Sequence, residues 1–202
     1  VQAPLLTYVT DTATVPEHVL LERLGTLAAR APTVMPRVAV QLRDPFRATR
    51  DLLLLAKRLR AHADELGYRL LVNDRIDVAI LARADGVHLG RASMCAADAR
   101  RLLGPDAFVS IACHDTADVL AAARAGADAC TLSPVFASPG KGPPLGTEAI
   151  VAAKRALADA GLAIAVVALG GIDASSALLA FDAGADGVAS IRAEVPASSL
   201  RP

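Results

Sequence analysis

Short apolar runs alternate with longer stretches of helical period along the whole chain. The runs are Leu5–Thr10, Arg37–Arg43, Arg69–Val72, Gly86–Leu89, Phe108–Ala112, Ala129–Leu132, Ala165–Leu169 and Gly187–Ile191. Runs this short, bounded by glycine, proline and acidic residues, read as buried strands. Between them lie patterns of helical spacing. One opens at Pro16-Glu17 and carries Val19, Leu20, Leu24 and Leu27; the next runs from Pro45 to Leu66 with Gly67 as its stop. Further helices are expected over Ile76–Ala84, from the Gly90–Ser93 turn to Leu103, from a cap at Asp115 to Ala125, over Thr147–Ala160, and behind Ile172-Asp173. Asp74 stands where an N-cap of the third of these would be.

Eight strands separated by helices predict a single (β/α)8 TIM barrel over residues 1–202, with no linker or composition shift dividing it. A repeat supports this. Ala84-Asp85-Gly86-Val87, Ala127-Asp128-Ala129-Cys130 and Ala185-Asp186-Gly187-Val188 each stand where a helix hands over to a strand, and each aspartate is expected to serve the tight turn. The residues after Arg192, AEVPASSLRP, are too few for a full closing helix, so either the last helix is abbreviated or its end is missing.

Composition narrows the picture. Hydrophobic residues make up 53% of the chain and aromatics only 3%, the Ala, Val, Leu and Ile core of parallel strands covered by helices. Twenty-one basic residues balance twenty-one acidic ones, which argues against a nucleic-acid or anionic-membrane partner. No run approaches a transmembrane length and the N-terminus lacks a basic signal region, so a cytoplasmic location is expected. Cys95, Cys113 and Cys130 show no metal-site spacing and read as reduced core or near-core residues. Faces this rich in alanine and leucine favour a homo-oligomer, in the simplest case a homodimer.

In parallel strands, residues at the C-terminal ends share one rim. These are Gln41 and Arg43, two apart and therefore on one strand face, then Asn73, Asp74, His114, Lys141 in the Ser133–Gly146 loop, Gly170, Gly171, Ile191 and Arg192. Gly170-Gly171 follows a strand and precedes a helix, so its amides and the helix dipole form an anion cup at the phosphate position of such barrels; alone, the pair is equally compatible with a tight turn. Arg192 is expected to add a guanidinium to the same anion. His114 ends a strand, where an imidazole can exchange protons, whereas His88 within a strand reads as a packed core residue and His18 and His62 as surface. Lys141 is one of three lysines, and the other two lie in helices.

VQLR at 40–43, LVNDRIDVAILARADGVHLG at 71–90, the strand ending in His114, SPVFASPGKGPPLG at 133–146, and VVALGGI with AGADGVASI within 166–191 together resemble the thiamine-phosphate synthase/TenI family. The resemblance runs over almost the whole chain and implies a (β/α)8 fold with a thiazole phosphate ligand, its phosphate on Gly170, Gly171 and the Ile191-Arg192 backbone. The synthase branch couples hydroxymethylpyrimidine pyrophosphate to thiazole phosphate with Mg2+. Against its pattern, Pro45 stands for a lysine, Ser93 for a second metal carboxylate and Ala112 for a pyrophosphate-binding serine, leaving Asp74 as the only matching carboxylate. The retained residues resemble the TenI branch, a thiazole tautomerase that needs no metal or other cofactor. On that resemblance His114 is the acid/base, Arg43 or Lys141 faces the substrate carboxylate, and the expected activity is proton transfer on a thiazole carboxylate phosphate. Three alternatives stand beside it: the synthase itself, a ligand-sensing barrel without catalysis, and another phosphate-handling barrel enzyme such as a sugar-phosphate isomerase.

Overall fold

The structure, a computed structural model, describes residues 2–12 and 14–200. Eight strands alternate with seven α-helices: β1 (Leu6–Val9), α1 (Glu17–Arg30), β2 (Val38–Leu42), α2 (Thr49–Leu66), β3 (Arg69–Asn73), α3 (Ile76–Ala82), β4 (Gly86–Leu89), α4 (Ala96–Leu103), β5 (Phe108–Cys113), α5 (Thr116–Arg124), β6 (Ala129–Leu132), α6 (Glu148–Asp159), β7 (Ala165–Leu169), α7 (Ala174–Asp182) and β8 (Gly187–Ser190). Every neighbouring pair is parallel and β1 pairs with β8, so the sheet closes.

Alternation along each strand divides the core in two. Val38, Val40 and Leu42 of β2, and Leu70 and Val72 of β3, face the helices. Val9, Ala39, Leu71, Phe108, Ala129, Val167 and Ala189 fill the barrel interior as a separate cluster. Phe108 is the single large aromatic there, with the Arg69 guanidinium 5.8 Å from its ring centroid. The helices dock by the stripe their period predicts: α2 buries Leu52, Leu55, Ala56, Leu59 and Ala63, each leucine contributing about 1.5–3 kcal/mol when fully buried. Gly67 ends α2 at φ 80°, a conformation that favours glycine, and its amide donates to Ala63 O.

The three repeated aspartates do more than make a turn. Asp85 accepts the Leu70 amide (2.7 Å) and Arg60 (2.6 Å); Asp128 accepts the Val109 amide (2.8 Å) and Arg100 (2.9 Å); Asp186 accepts the Val166 amide (2.7 Å) and Lys154 (2.8 Å). Each carboxylate therefore pins the first residues of the preceding strand and the helix before it, on the barrel face opposite the rim. The corresponding position before β2 is Arg37, whose guanidinium donates instead to Ala3 O.

Several local expectations are corrected. Asp74 is not a helix cap: α3 begins after Arg75 without a side-chain cap, and Asp74 takes φ 60°, turning its carboxylate toward β4. Residues Pro32–Arg37 form a 3-10 helix, so β2 starts at Val38 rather than Arg37. Cys95 is exposed rather than near-core, since it precedes α4 on the surface, whereas Cys113 and Cys130 are buried. His62 is half-buried against the Tyr68 hydroxyl, 3.3 Å away. After β8 the described residues hold only a 3-10 turn, Ala197–Ser199, flanked by buried Val195 and Leu200. Among the described residues no helix is long and apolar enough to cross a membrane.

Candidate functional site

A cavity of about 380 Å³ opens at the C-terminal rim between the β7–α7 and β8 loops. It is lined by Leu169–Asp173, Ala189–Ala193 and Ala137–Pro139 of the β6–α6 loop. Gly170 has φ 102° and Gly171 φ 61°, which L side chains rarely adopt. A Cβ at Gly170 would meet Pro134 at 2.8 Å, and one at Gly171 would meet Ala137 O at 2.5 Å. The glycines thus let the β6–α6 loop close down on the turn. Among the described residues, no intramolecular hydrogen bond engages the amides of Gly171, Ile191 or Arg192. This cup of free donors can receive an anion.

The cup differs from expectation in two respects. The first turn of α7 is already capped: Asp173 accepts the Ser175 and Ser176 amides at 2.9 and 2.8 Å, and Ser176 Oγ accepts the Asp173 amide. These bonds, the Ser176 amide foremost, hold the Asp173 carboxyl at about 2, so the helix end serves its own cap and the loop amides are the donors left over for an anion. Arg192 lines the cavity, but its guanidinium leans toward Asp11, 3.8 Å away, and is half-exposed. Its backbone, rather than its fork, is what the fold commits to the cup.

Gln41, Asn73 and Asp74 are brought together. Gln41 Nε2 donates to Asn73 Oδ1 (2.9 Å), and Asn73 Nδ2 donates to Asp74 Oδ2 (2.6 Å). Asp74 Oδ1 accepts the Gly90 amide (3.0 Å) and the Ser93 hydroxyl. The left-handed turn at Asp74 is what aims the carboxylate across to the β4–α4 loop. Below this network His88 is buried, its Nδ1 2.7 Å from Ser110 Oγ. Burial pushes its pKa down to about 4; Asp74 opposes and Arg43 reinforces the shift. The expected packed histidine is therefore a neutral one inside the barrel mouth.

His114 follows β5 on the exposed rim. Its Nδ1 is 2.8 Å from Ser133 O, and a carbonyl only accepts, so Nδ1 donates this bond and, in the neutral imidazole, Nε2 is the nitrogen left with a lone pair. The His114 amide donates to Asp118 Oδ2 (3.0 Å), a carboxylate 3.7 Å from Arg91. Because Ser133 opens the loop that packs on Gly170 and Gly171, the imidazole and the cup are tied to one segment. Lys141 is exposed in the same loop, its amide donating to Ser138 O (3.2 Å), and Ser138 lines the cavity. Arg43 is exposed beside β2, its backbone paired in both directions with Thr10 Oγ1.

Sequence reasoning passed over Ser110, Ser190, Ala193, Asp118 and Arg23. Ser110 was accessible by alternation, two residues before Ala112 on the inward face of β5. Arg23, which donates to Arg192 O at 3.0 Å across 169 residues, left no local signal. Among the described residues no group of three or more His, Cys, Asp or Glu side chains is placed to hold a metal. Asp74 is the carboxylate that the family resemblance matched to a metal ligand.

Related proteins share the sequence and the fold of this chain. A putative thiamine-phosphate synthase of Geobacter sulfurreducens is 43% identical over 157 residues, 76% of this chain and 71% of that protein. A thiamine-phosphate synthase of Chloroflexus aurantiacus is 37% identical over 164 residues, 80% and 73% of the two chains. The solved structure of thiamine phosphate pyrophosphorylase from Pyrococcus furiosus superposes with a TM-score of 0.75 at 28% identity, covering 92% of this chain and 84% of that one. These relatives carry synthase names, whereas the departures at Pro45, Ser93 and Ala112 had pointed to the TenI side. With residues 6–193 matching the family described as thiamine monophosphate synthase, the chain belongs to that family.

Proposed function

We propose that this chain acts on a thiazole phosphate in thiamine biosynthesis, and that its reaction is the coupling for which its relatives are named: joining hydroxymethylpyrimidine pyrophosphate to thiazole phosphate. The observation that carries this reading is the 37–43% identity to proteins so named over more than two thirds of their length. In this site the Gly171, Ile191 and Arg192 amides take the phosphate, and Lys141 and Arg43 supply cations for the departing pyrophosphate. The Gln41–Asn73 pair presents amide groups to the pyrimidine side. Magnesium is usually held by one or two carboxylates together with substrate phosphates, and Asp74 meets the lower limit of that set. A bound magnesium would neutralise charge on the leaving pyrophosphate. Asp74 would hold it through whatever capacity remains beside Gly90, Ser93 and Asn73.

A second reading has a specific observation in its favour. Ser93 donates to the carboxylate a metal would need, and Ala112 and Pro45 remove two further groups from the pyrophosphate side. Metal-free proton transfer on a thiazole carboxylate phosphate needs only the cup, a cation near the carboxylate and an imidazole whose Nε2 is free, which His114 offers. Both assays decide. Magnesium-dependent formation of thiamine phosphate, abolished by EDTA, is the expected result. Tautomer conversion that persists in EDTA and collapses in His114→Ala, with no coupling, would overturn the first reading in favour of the second. Binding without either reaction would leave a ligand-sensing barrel.

A further inference from the structure

The loop that follows β8 is held open from behind. Arg23, on α1, donates from Nη1 to the Arg192 carbonyl at 3.0 Å, and Ser190 Oγ donates to the next carbonyl, that of Ala193, at 2.8 Å. The Val195 amide then reaches the Tyr8 hydroxyl at 3.4 Å. In a planar trans peptide the C=O and the following N–H point to opposite sides. A carbonyl of Arg192 fixed toward α1 therefore turns the Ala193 amide the other way, and both Arg192 and Ala193 line the cavity. A free peptide flip at this position would aim a carbonyl oxygen at the bound anion. Arg23 disfavours that flip, since its guanidinium loses its acceptor if the peptide turns.

We infer that Arg23 is a positioning residue for the phosphate group of the substrate: it never touches the ligand, but sets the orientation of the Arg192–Ala193 peptide so that the Ala193 N–H joins Gly171 and Ile191 as a donor. This rests on the reading of the site as a phosphate cup. It also links α1, an element outside the rim, to recognition of the anion. The interaction is partly solvated, so its effect is moderate.

The test compares equilibrium binding of thiazole phosphate, its dephosphorylated alcohol and inorganic phosphate to the wild type, Arg23→Ala, Arg23→Lys and, as a control, Arg30→Ala from the exposed last turn of α1. Arg23→Ala is expected to weaken thiazole phosphate and inorganic phosphate about fivefold while leaving the alcohol unchanged. Arg23→Lys, which keeps a donor, stays within about twofold of wild type, and Arg30→Ala matches it. Equal losses for the ester and the alcohol would mean that Arg23 only supports the fold, and no loss for the ester would mean that the peptide keeps its orientation unaided; either overturns the inference. If the wild type takes inorganic phosphate but not the thiazole ester, and Arg23→Ala still weakens the former, the thiazole reading falls while the role of Arg23 stands. If the wild type takes neither, both fall.

Discussion

Replacing His88 with asparagine is expected to remove most of the pH dependence of stability between neutrality and pH 4.5. The imidazole lies buried in the barrel mouth, Nδ1 against Ser110 Oγ, and its pKa is lowered from 6.5 to about 4, chiefly by loss of water. A histidine whose folded pKa is depressed leaves the folded state at full stability above 6.5, where neither state binds the proton. As pH falls the unfolded chain is protonated first, and stability is lost until the folded pKa is reached. The difference of roughly 2.5 units corresponds to about 3.4 kcal/mol in all, of which about 2.5 kcal/mol is lost between pH 7.5 and 4.5. Carboxylates held low, such as Asp173 at about 2, lose their contribution mainly below this window. Asparagine does not titrate and can still bond Ser110. Urea unfolding midpoints at intervals from pH 7.5 to 4.5 would show the wild type falling by about 2.5 kcal/mol and His88→Asn nearly flat. A variant that falls as steeply as the wild type would refute the assignment of the loss to His88, and a flat wild type would refute the buried neutral imidazole.

Two further outcomes are expected. Gly171→Ala places a methyl 2.5 Å from Ala137 O at φ 61°, so the β6–α6 loop must lift away; stability should fall by about 2 kcal/mol and phosphate affinity by more than about tenfold, read by calorimetry with inorganic phosphate. Wild-type affinity in this variant would mean that the loop does not form the cup. Asp128→Asn breaks the contact with Arg100 on the opposite face, costing about 1.5 kcal/mol and lowering the melting temperature by about 3–6 °C while ligand binding is unchanged. A binding loss in that variant would show that the two faces are coupled.

The order of elements was legible because burial of parallel strands writes itself as short apolar runs, and every run from Leu5 to Ile191 matches an observed strand to within one residue at either end. The rim followed from that order alone, since parallel strands end on one side. What escaped was decided by contacts between residues far apart in the chain. Asp74 looked like a cap because a carboxylate before a helix commonly is one; its actual partners, Gly90 and Ser93, appear only when β3 and β4 lie side by side. The lean of the Arg192 guanidinium toward Asp11, and the bond from Arg23 to the Arg192 carbonyl, appear only when the first βα unit lies beside β8. The repeated aspartates were read as turn residues, and their grip on Leu70, Val109 and Val166 needed the neighbouring strand to be in place.

Those three carboxylates divide the barrel into unequal parts. Each spans a helix, the next strand and the turn into the following strand, so the chain from α2 to β8 is fastened in three successive pairs of units, while the strands β1 and β2 are joined without one, Arg37 standing where the aspartate would be. Hydrogen exchange should therefore find the barrel opening at one seam, with the amides of β1 and β2 exchanging before those of Leu70, Val109 and Val166. That seam borders the loop beneath the anion cup, because β1 also pairs with β8. Ligand held by the cup would brace the strand pair that has Arg37 where the others have an aspartate.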